Sequence, residues 1–272
     1  MSARPFQGLT AEPDWVALRE VVPSATASLT VSGAAAPDGA AERDVLLVTV
    51  LPMAWPALVR QDGQVLLSLQ TAPRSGDASL DLAQALVSAL AADPGQGVTD
   101  LPEPQGSGPR LQHLLAPAPL EVTVHAGFDW WLGGEPASGE AAAQLQQANA
   151  GVVPTARLQS VPAAYWCRMA GRSHLRWALP EDEEAVLDAL ARLAVDGGLS
   201  LGEQTRYAGA FRADGLLVPV WDLPHEATPE QCEEPAAAIR ARLDAALART
   251  EPLTSDERRA RAGVVSRSQT LR

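Results

Sequence analysis

Two short stretches, RQDG at 60–63 and RADG at 212–215, constrain the fold more than any other feature of this chain. Each sets an Asp-Gly pair between apolar runs. A two-residue hairpin turn of type I′ needs positive φ at both central residues, which Gly and Asp tolerate and bulky residues do not. Each pair therefore predicts an antiparallel hairpin. After the first turn, QVLLSLQ alternates and places Val65, Leu67 and Leu69 on one face. After the second comes LLVPVWDL, where Pro219 cannot donate to a ladder and predicts an edge strand.

Each hairpin leads into a helix. Asp77 caps the first, whose expected apolar stripe is Leu80, Ala83, Val87 and Leu90. Thr228-Pro229-Glu230-Gln231 opens the second with a cap, a proline and a capping-box glutamine, ahead of Ile239, Leu243 and Leu247. A further helix, PEDEEAVLDALARLAV at 180–195, has acids at its dipole-favoured start and Val186, Leu190 and Leu193 on one face. The order read for the second half is α(138–149)–β(155–160)–β(163–169)–β(174–178)–α(180–196)–β(205–211)–β(216–221)–α(229–249).

VVPSA at 21–25 recurs as VVPTA at 152–156, so the halves echo each other in more than their hairpins. The expected fold class is α+β: two related half-domains from an internal duplication, each a mainly antiparallel sheet with helices packed on one face. The helix at 180–196 should have no counterpart in the first half. Residues 1–92 form the first half-domain. Residues 93–137 are a Pro/Gly-rich connection holding a short strand at Glu121–His125, and 138–250 form the second half-domain. Residues 251–272 read as a basic, disordered tail. In element order the second half is similar to the type III secretion chaperone fold.

Composition removes several chemistries. All 21 basic residues are arginine, and Ile239 and Asn149 are the only isoleucine and asparagine, a bias that points to a GC-rich bacterial genome. Without lysine there is no Schiff-base catalysis and no P-loop lysine for a nucleotide phosphate. The formal net charge is −12, and residues 258–272 carry five arginines and no acid. So acidic a body repels phosphate backbones and excludes nucleic acid as the main partner. The apolar run from Val45 to Trp55 is too short to span a bilayer, and MSARPFQGLT lacks the apolar core of a secretory signal, so the cytoplasm is the expected compartment. Cys167 and Cys232 stand far apart and give neither a disulfide framework nor a zinc knuckle. No cofactor and no metal is expected.

The stretch most like a site is HAGFDWWLGGEP at 125–136. The seven tryptophans outnumber phenylalanine and tyrosine together, and adjacent Trp130 and Trp131 should diverge, one buried and the other presented to a partner. No serine-hydrolase constellation is expected: no G-x-S-x-G elbow is read in the chain, and His113, His125, His174 and His225 lie in dissimilar contexts. The acids at 181–184 are assigned to the helix dipole and solvent. The candidate interaction or ligand surface comprises Trp130, Trp131, His125, Asp129, Arg60 and Arg212. The expected function is non-catalytic binding of another protein, with chaperone-like character. The alternative is an enzyme or small-molecule binder with a pocket between the halves, using His125, Asp129, Arg60 or Arg212.

RPFQGL (4–9), DWVALREVVP (14–23), TVLPMAWPALVRQDG (49–63), SGDASLDLAQAL (75–86) and GFDWWL (127–132) together resemble an uncharacterised actinobacterial protein family. Its members often carry a label linking them to the preprotein translocase SecA. This chain has no Walker A motif and no Cys-x-Cys zinc signature, so the label gains no support from its residues. The resemblance implies no catalytic residues.

Overall fold

The computed structural model describes residues 4–32, 43–102, 108–134, 136 and 138–270, and the chain divides into two compact units, Met1–Val152 and Val153–Arg272. Each holds one six-stranded sheet. Among the described residues the architecture is mixed α+β, with seven α-helices and mostly antiparallel strand pairing.

The first unit runs α1 (Glu12–Glu20), β1 (Ala25–Val31), β2 (Arg43–Val48), β3 (Ala57–Val59), β4 (Val65–Ser68), α2 (Ala78–Leu90), β5 (Gly97–Val98), α3 (Leu111–Leu114), β6 (Val122–Val124) and α4 (Gly139–Ala150), with sheet order β5-β3-β4-β2-β1-β6. Asp77 caps α2 by accepting from the amides of Ser79 and Leu80. The helix buries Leu80, Leu82, Ala83, Leu86 and Leu90, whereas Val87, expected in the stripe, is exposed. Its position lies about 100° around the axis from Leu86, beyond the edge of the buried face.

The second unit runs β7 (Thr155–Arg157), β8 (Ala164–Met169), β9 (Arg172–Trp177), α5 (Glu183–Val195), β10 (Arg206–Ala213), β11 (Leu216–Leu223), α6 (Glu230–Leu247), α7 (Ser255–Ser266) and β12 (Ser268–Thr270), in sheet order β12-β10-β11-β9-β8-β7. Its core joins Trp166, Trp177 and Trp221 of the sheet to Val186, Leu190 and Leu193 of α5 and to Ile239 and Leu243 of α6.

Both Asp-Gly pairs close hairpins, by different turns. In the second, Ala213 pairs with Leu216, and Asp214 and Gly215 both have positive φ, as a type I′ turn requires. The first is a three-residue loop. Val59 pairs with Val65, the Arg60 amide donates to Gln64, and within the loop only Gly63 takes positive φ, at 85°. Both hairpins occupy the second and third places from one sheet edge, yet in opposite senses: β4 runs parallel to its neighbour β2, and β11 antiparallel to β9. The helix at 183–195 is the reason. In the first unit a short turn around Pro52–Ala54 returns the chain at the same end of the sheet, whereas α5 carries it back to the other end before β10 starts. The VVP repeats fall at unlike places, one entering β1, next to an edge strand, and the other entering the edge strand β7.

Three sequence expectations are corrected. Pro219 lies on a central strand, where the ladder to β9 breaks between the Val220–Arg176 pair and the isolated Leu217–Leu179 bridge, so its missing N–H falls in a gap. The helix expected to open the second half, α4, belongs to the first unit, because Asn149 is bonded to Phe128 and Asp129. Residues 255–270, expected to be disordered, form α7 and β12. Thr254 and Glu257 make a reciprocal capping box, Arg261 pairs with Asp188 and Glu184 on α5, Val264 is buried, and β12 pairs with β10. At Gly209, with φ of 145°, a Cβ would lie 2.3 Å from the Arg267 carbonyl oxygen, so only glycine lets this return strand approach. Among the described residues no helix is long and apolar enough to cross a membrane.

Arg192, on α5, is 5% exposed and donates to the carbonyls of Ala246, Arg249 and Glu251, closing the C-terminal end of α6. Arg192→Leu strands the buried Ala246 carbonyl and leaves those of exposed Arg249 and Glu251 to water, and should lower unfolding free energy by about 2 kcal/mol. Chemical denaturation checks this; a loss below about 1 kcal/mol would show that the cap is dispensable.

Candidate functional site

After β6 the chain folds back over the face of the first sheet that carries Val48 and Leu66. Several bonds hold it there. The His125 amide donates to the Ser24 carbonyl at 2.9 Å, the Ser24 hydroxyl to the Gly127 carbonyl at 2.6 Å, and the Phe128 amide to Asn149 Oδ1 at 2.7 Å. A Cβ on Gly127 would lie 2.7 Å from that same Asn149 oxygen, so the glycine makes the approach feasible. Asp129–Leu132 then forms one 3-10 turn, ended by Gly133 in the left-handed region at φ 61°.

The turn decides where the indoles go. Trp130 donates its N–H to Ser24 Oγ at 3.0 Å, and Trp131 to the Val50 carbonyl at 2.9 Å. The two rings meet edge to face at 6.0 Å, Phe128 stacks on Trp131 at 4.6 Å, and both tryptophans pack on Val48, Leu51 and Leu66. The expectation that one of the two indoles is buried in a core while the other stays partly exposed is corrected for the first ring. Both are half-buried on one small cluster, because both N–H groups reach back to the same end of the sheet.

The other candidates separate. His125 Nε2 lies 2.9 Å from Thr26 Oγ1, and burial pulls its imidazole below the ordinary value, so it is neutral near pH 7. Asp129 is exposed and accepts from Asn149, so the two have different partners rather than each other. Arg60 does join Trp131. It pairs with Asp62 at 3.3 Å and packs under Gly133, where a Cβ would lie 2.7 Å from Nη1. With Leu58, Leu132 and Asp62 these residues line a cavity of about 320 Å³. Arg212 belongs to the second unit, where Glu183 at the start of α5 accepts from its Nε at 2.8 Å and its Nη2 at 2.5 Å. It is a structural link.

Two groupings escaped the sequence reading. The pattern G-x-S-x-G does occur, as Gly198-Leu199-Ser200-Leu201-Gly202. A nucleophile elbow is a strand-to-helix turn, whereas this segment leads from α5 to β10. The Ser200 hydroxyl bonds to the Gly202 carbonyl and to Thr205 Oγ1. It is a loop tie, not an activated serine. In the second sheet, register aligns Cys167, His174, Asp222 and Arg206 as successive cross-strand neighbours. His174 Nδ1 lies 3.2 Å from Asp222, and Arg206 Nη2 lies 2.5 Å from its other oxygen. Cys167 is buried, and desolvation pushes its thiol upward against a smaller opposing effect of Arg176, so this row lacks a ready thiolate. Among the described residues no cluster of three or more histidine, cysteine, aspartate or glutamate side chains could hold a metal ion.

Burial acts to raise the Asp222 carboxyl, but the Arg206 bond and charge, together with His174, outweigh it and hold the group below its usual value. The folded state therefore gains stability from this ion pair above the ordinary carboxylate pKa of about 4, and loses it as pH falls through the lowered value. Asp222→Asn should be less stable than the parent at pH 7, and the difference should begin to shrink below about pH 4 and vanish only once pH has fallen past the lowered folded-state value. Melting curves across pH test this; a difference that stays constant with pH would refute it.

Trp131→Ala removes a half-buried ring and its bond to Val50. It should cost about 2–3 kcal/mol, less than the range for a fully buried aromatic. Equilibrium unfolding reads this directly.

Compared with known proteins, residues 5–272 match a family of unknown function, DUF5926, and the chain belongs to that family. No curated protein and no solved structure matches it.

Proposed function

We propose that this member of the DUF5926 family is a non-catalytic, cytoplasmic protein-binding module of chaperone-like character, which receives its partner on the aromatic and aliphatic face of the first sheet. One observation carries the reading: Trp130 and Trp131 are locked by their N–H bonds and by Phe128 while both rings stay partly accessible. Rings already fixed lose little conformational freedom on binding, and tryptophan is enriched among residues that dominate interface energies. Half-buried Leu46, Leu58 and Trp55 border them, and Met53, 77% exposed, stands nearby on a turn where it and Ala54 both take positive φ. The matching order of five strands, β5-β3-β4-β2-β1 and β12-β10-β11-β9-β8, supports a common origin by duplication, with the hairpin inverted by α5 and the sixth strand drawn from opposite ends of each unit.

A second reading, small-molecule binding, draws on the cavity beside Arg60. A thermal-shift screen in which one metabolite raises the melting temperature by several degrees would favour it.

The partner test uses two mild surface changes. Met53→Ser and Leu132→Ser should leave the melting temperature within about 3 °C of the parent and reduce recovery of a co-purifying protein about tenfold, a change of about 1.4 kcal/mol. Met169→Ser, at an exposed position of the second unit, should leave recovery unchanged. Equal recovery with all three variants would sink the reading.

A further inference from the structure

We propose that the segment received on this face is basic and amphipathic: apolar side chains seat on Leu46, Leu58, Trp131 and Leu132 while arginines or lysines meet an acidic rim. This rests on the reading of the face as a protein-binding surface.

Charge is unequally divided between the units. Residues 1–152 hold sixteen acids against six arginines, a formal −10, whereas residues 153–272 hold seventeen against fifteen, a formal −2. The unit with the accessible aromatic face is thus the one whose field attracts cations. The acids are also placed locally. Asp44 is exposed and, by strand alternation in register with Thr30, shares the face of Leu46 and Val48. Asp62 borders the Arg60 cavity with 58% of its side chain exposed, and Asp129 is exposed at the start of the tryptophan turn. Arg60, the cation lining that cavity, pairs with Asp62 at 3.3 Å, so the two are together nearly neutral and the net charge of the rim comes from Asp44 and Asp129.

An apolar floor with an acidic rim selects its occupant by exclusion as well as attraction. An anionic membrane or a nucleic acid meets repulsion from the whole unit, and a second copy of this face would oppose −10 to −10. A basic amphipathic segment satisfies both parts, with the apolar floor supplying affinity and the rim supplying orientation and a faster encounter.

The probes are two fluorescein-labelled synthetic helical peptides of equal length and leucine spacing, one leucine–lysine and one leucine–glutamate, titrated with the full chain by fluorescence anisotropy. The leucine–lysine peptide should bind, and its affinity should fall at least tenfold between about 0.05 and 0.5 M salt as screening shortens the field's reach. Asp44→Asn/Asp62→Asn/Asp129→Asn should weaken it about tenfold. Asparagine keeps the acceptor oxygens that serve Thr30, Gln64 and Asn149, and the Arg60–Asp62 pair it gives up has a mostly exposed carboxylate and is worth at most about 1 kcal/mol, so the melting temperature should hold within a few degrees. Leu132→Ser should weaken it too.

Equal binding of the two peptides, no binding of the lysine peptide, or indifference to either set of substitutions overturns the proposal. So does a dimer in light scattering that Leu132→Ser dissociates, since the occupant would then be a second copy. If recovery of the co-purifying protein depends on Leu132 but not on the three aspartates, the binding face stands and the basic partner falls.

Discussion

A buried indole must find an acceptor for its N–H, and this requirement organises the chain. Trp15 donates to Thr10 just before α1, Trp131 to Val50, Trp166 to Ala227, Trp177 to Pro162 and Trp221 to Leu199, in every case to a main-chain carbonyl outside the helices and strands. The ring supplies apolar area to the core, and the loop supplies the polar group the ring needs. Tryptophan therefore does here what phenylalanine could not: each ring ties a connection to the sheet or helix beneath it. The 125–134 segment is the surface instance of the same device, held by one indole bond to Val50 and another to Ser24.

The helix α5 is the second organising element. Its first turn and the residues just before it gather charge as well as following the helix dipole. Glu181 and Glu183 pair with Arg240 and Arg212, and Glu184 takes Arg261 from the tail. Its middle fills the core, and its Arg192 closes α6. By returning the chain to the opposite end of the sheet, it reverses the sense of the hairpin that follows. Two sheets that agree in five of their six strand places consequently differ in whether the hairpin runs with or against its neighbour.

At the candidate surface, the sequence singled out the 125–134 segment and misread its geometry. Adjacent tryptophans diverge in a strand or a helix, but a 3-10 turn whose two N–H groups are drawn to one end of the sheet brings the rings together. Ser24 and Asn149, which set that turn, lie more than a hundred residues before it and about twenty after it, and neither carries a local signal of the role. A sole asparagine in 272 residues was visible, though not its contact. The row through His174 and Asp222 was likewise invisible, because strand register rather than spacing assembles it.

By itself the sequence determined what depends on neighbours along the chain. The second unit's elements from β7 to α6 followed from periodicity, Asp77 as a helix cap from a side chain reaching its own next amides, and both turns from residues that accept positive φ. Tertiary structure decided what depends on partners distant in sequence. The five arginines of 258–272 looked like a solvated tail until α5 offered acids to one of them and a place to bury Val264. Pro219 looked like an edge residue until a break in the β9 ladder made room for it. In each case the local residue set a requirement, and only the packed chain could show which distant group meets it.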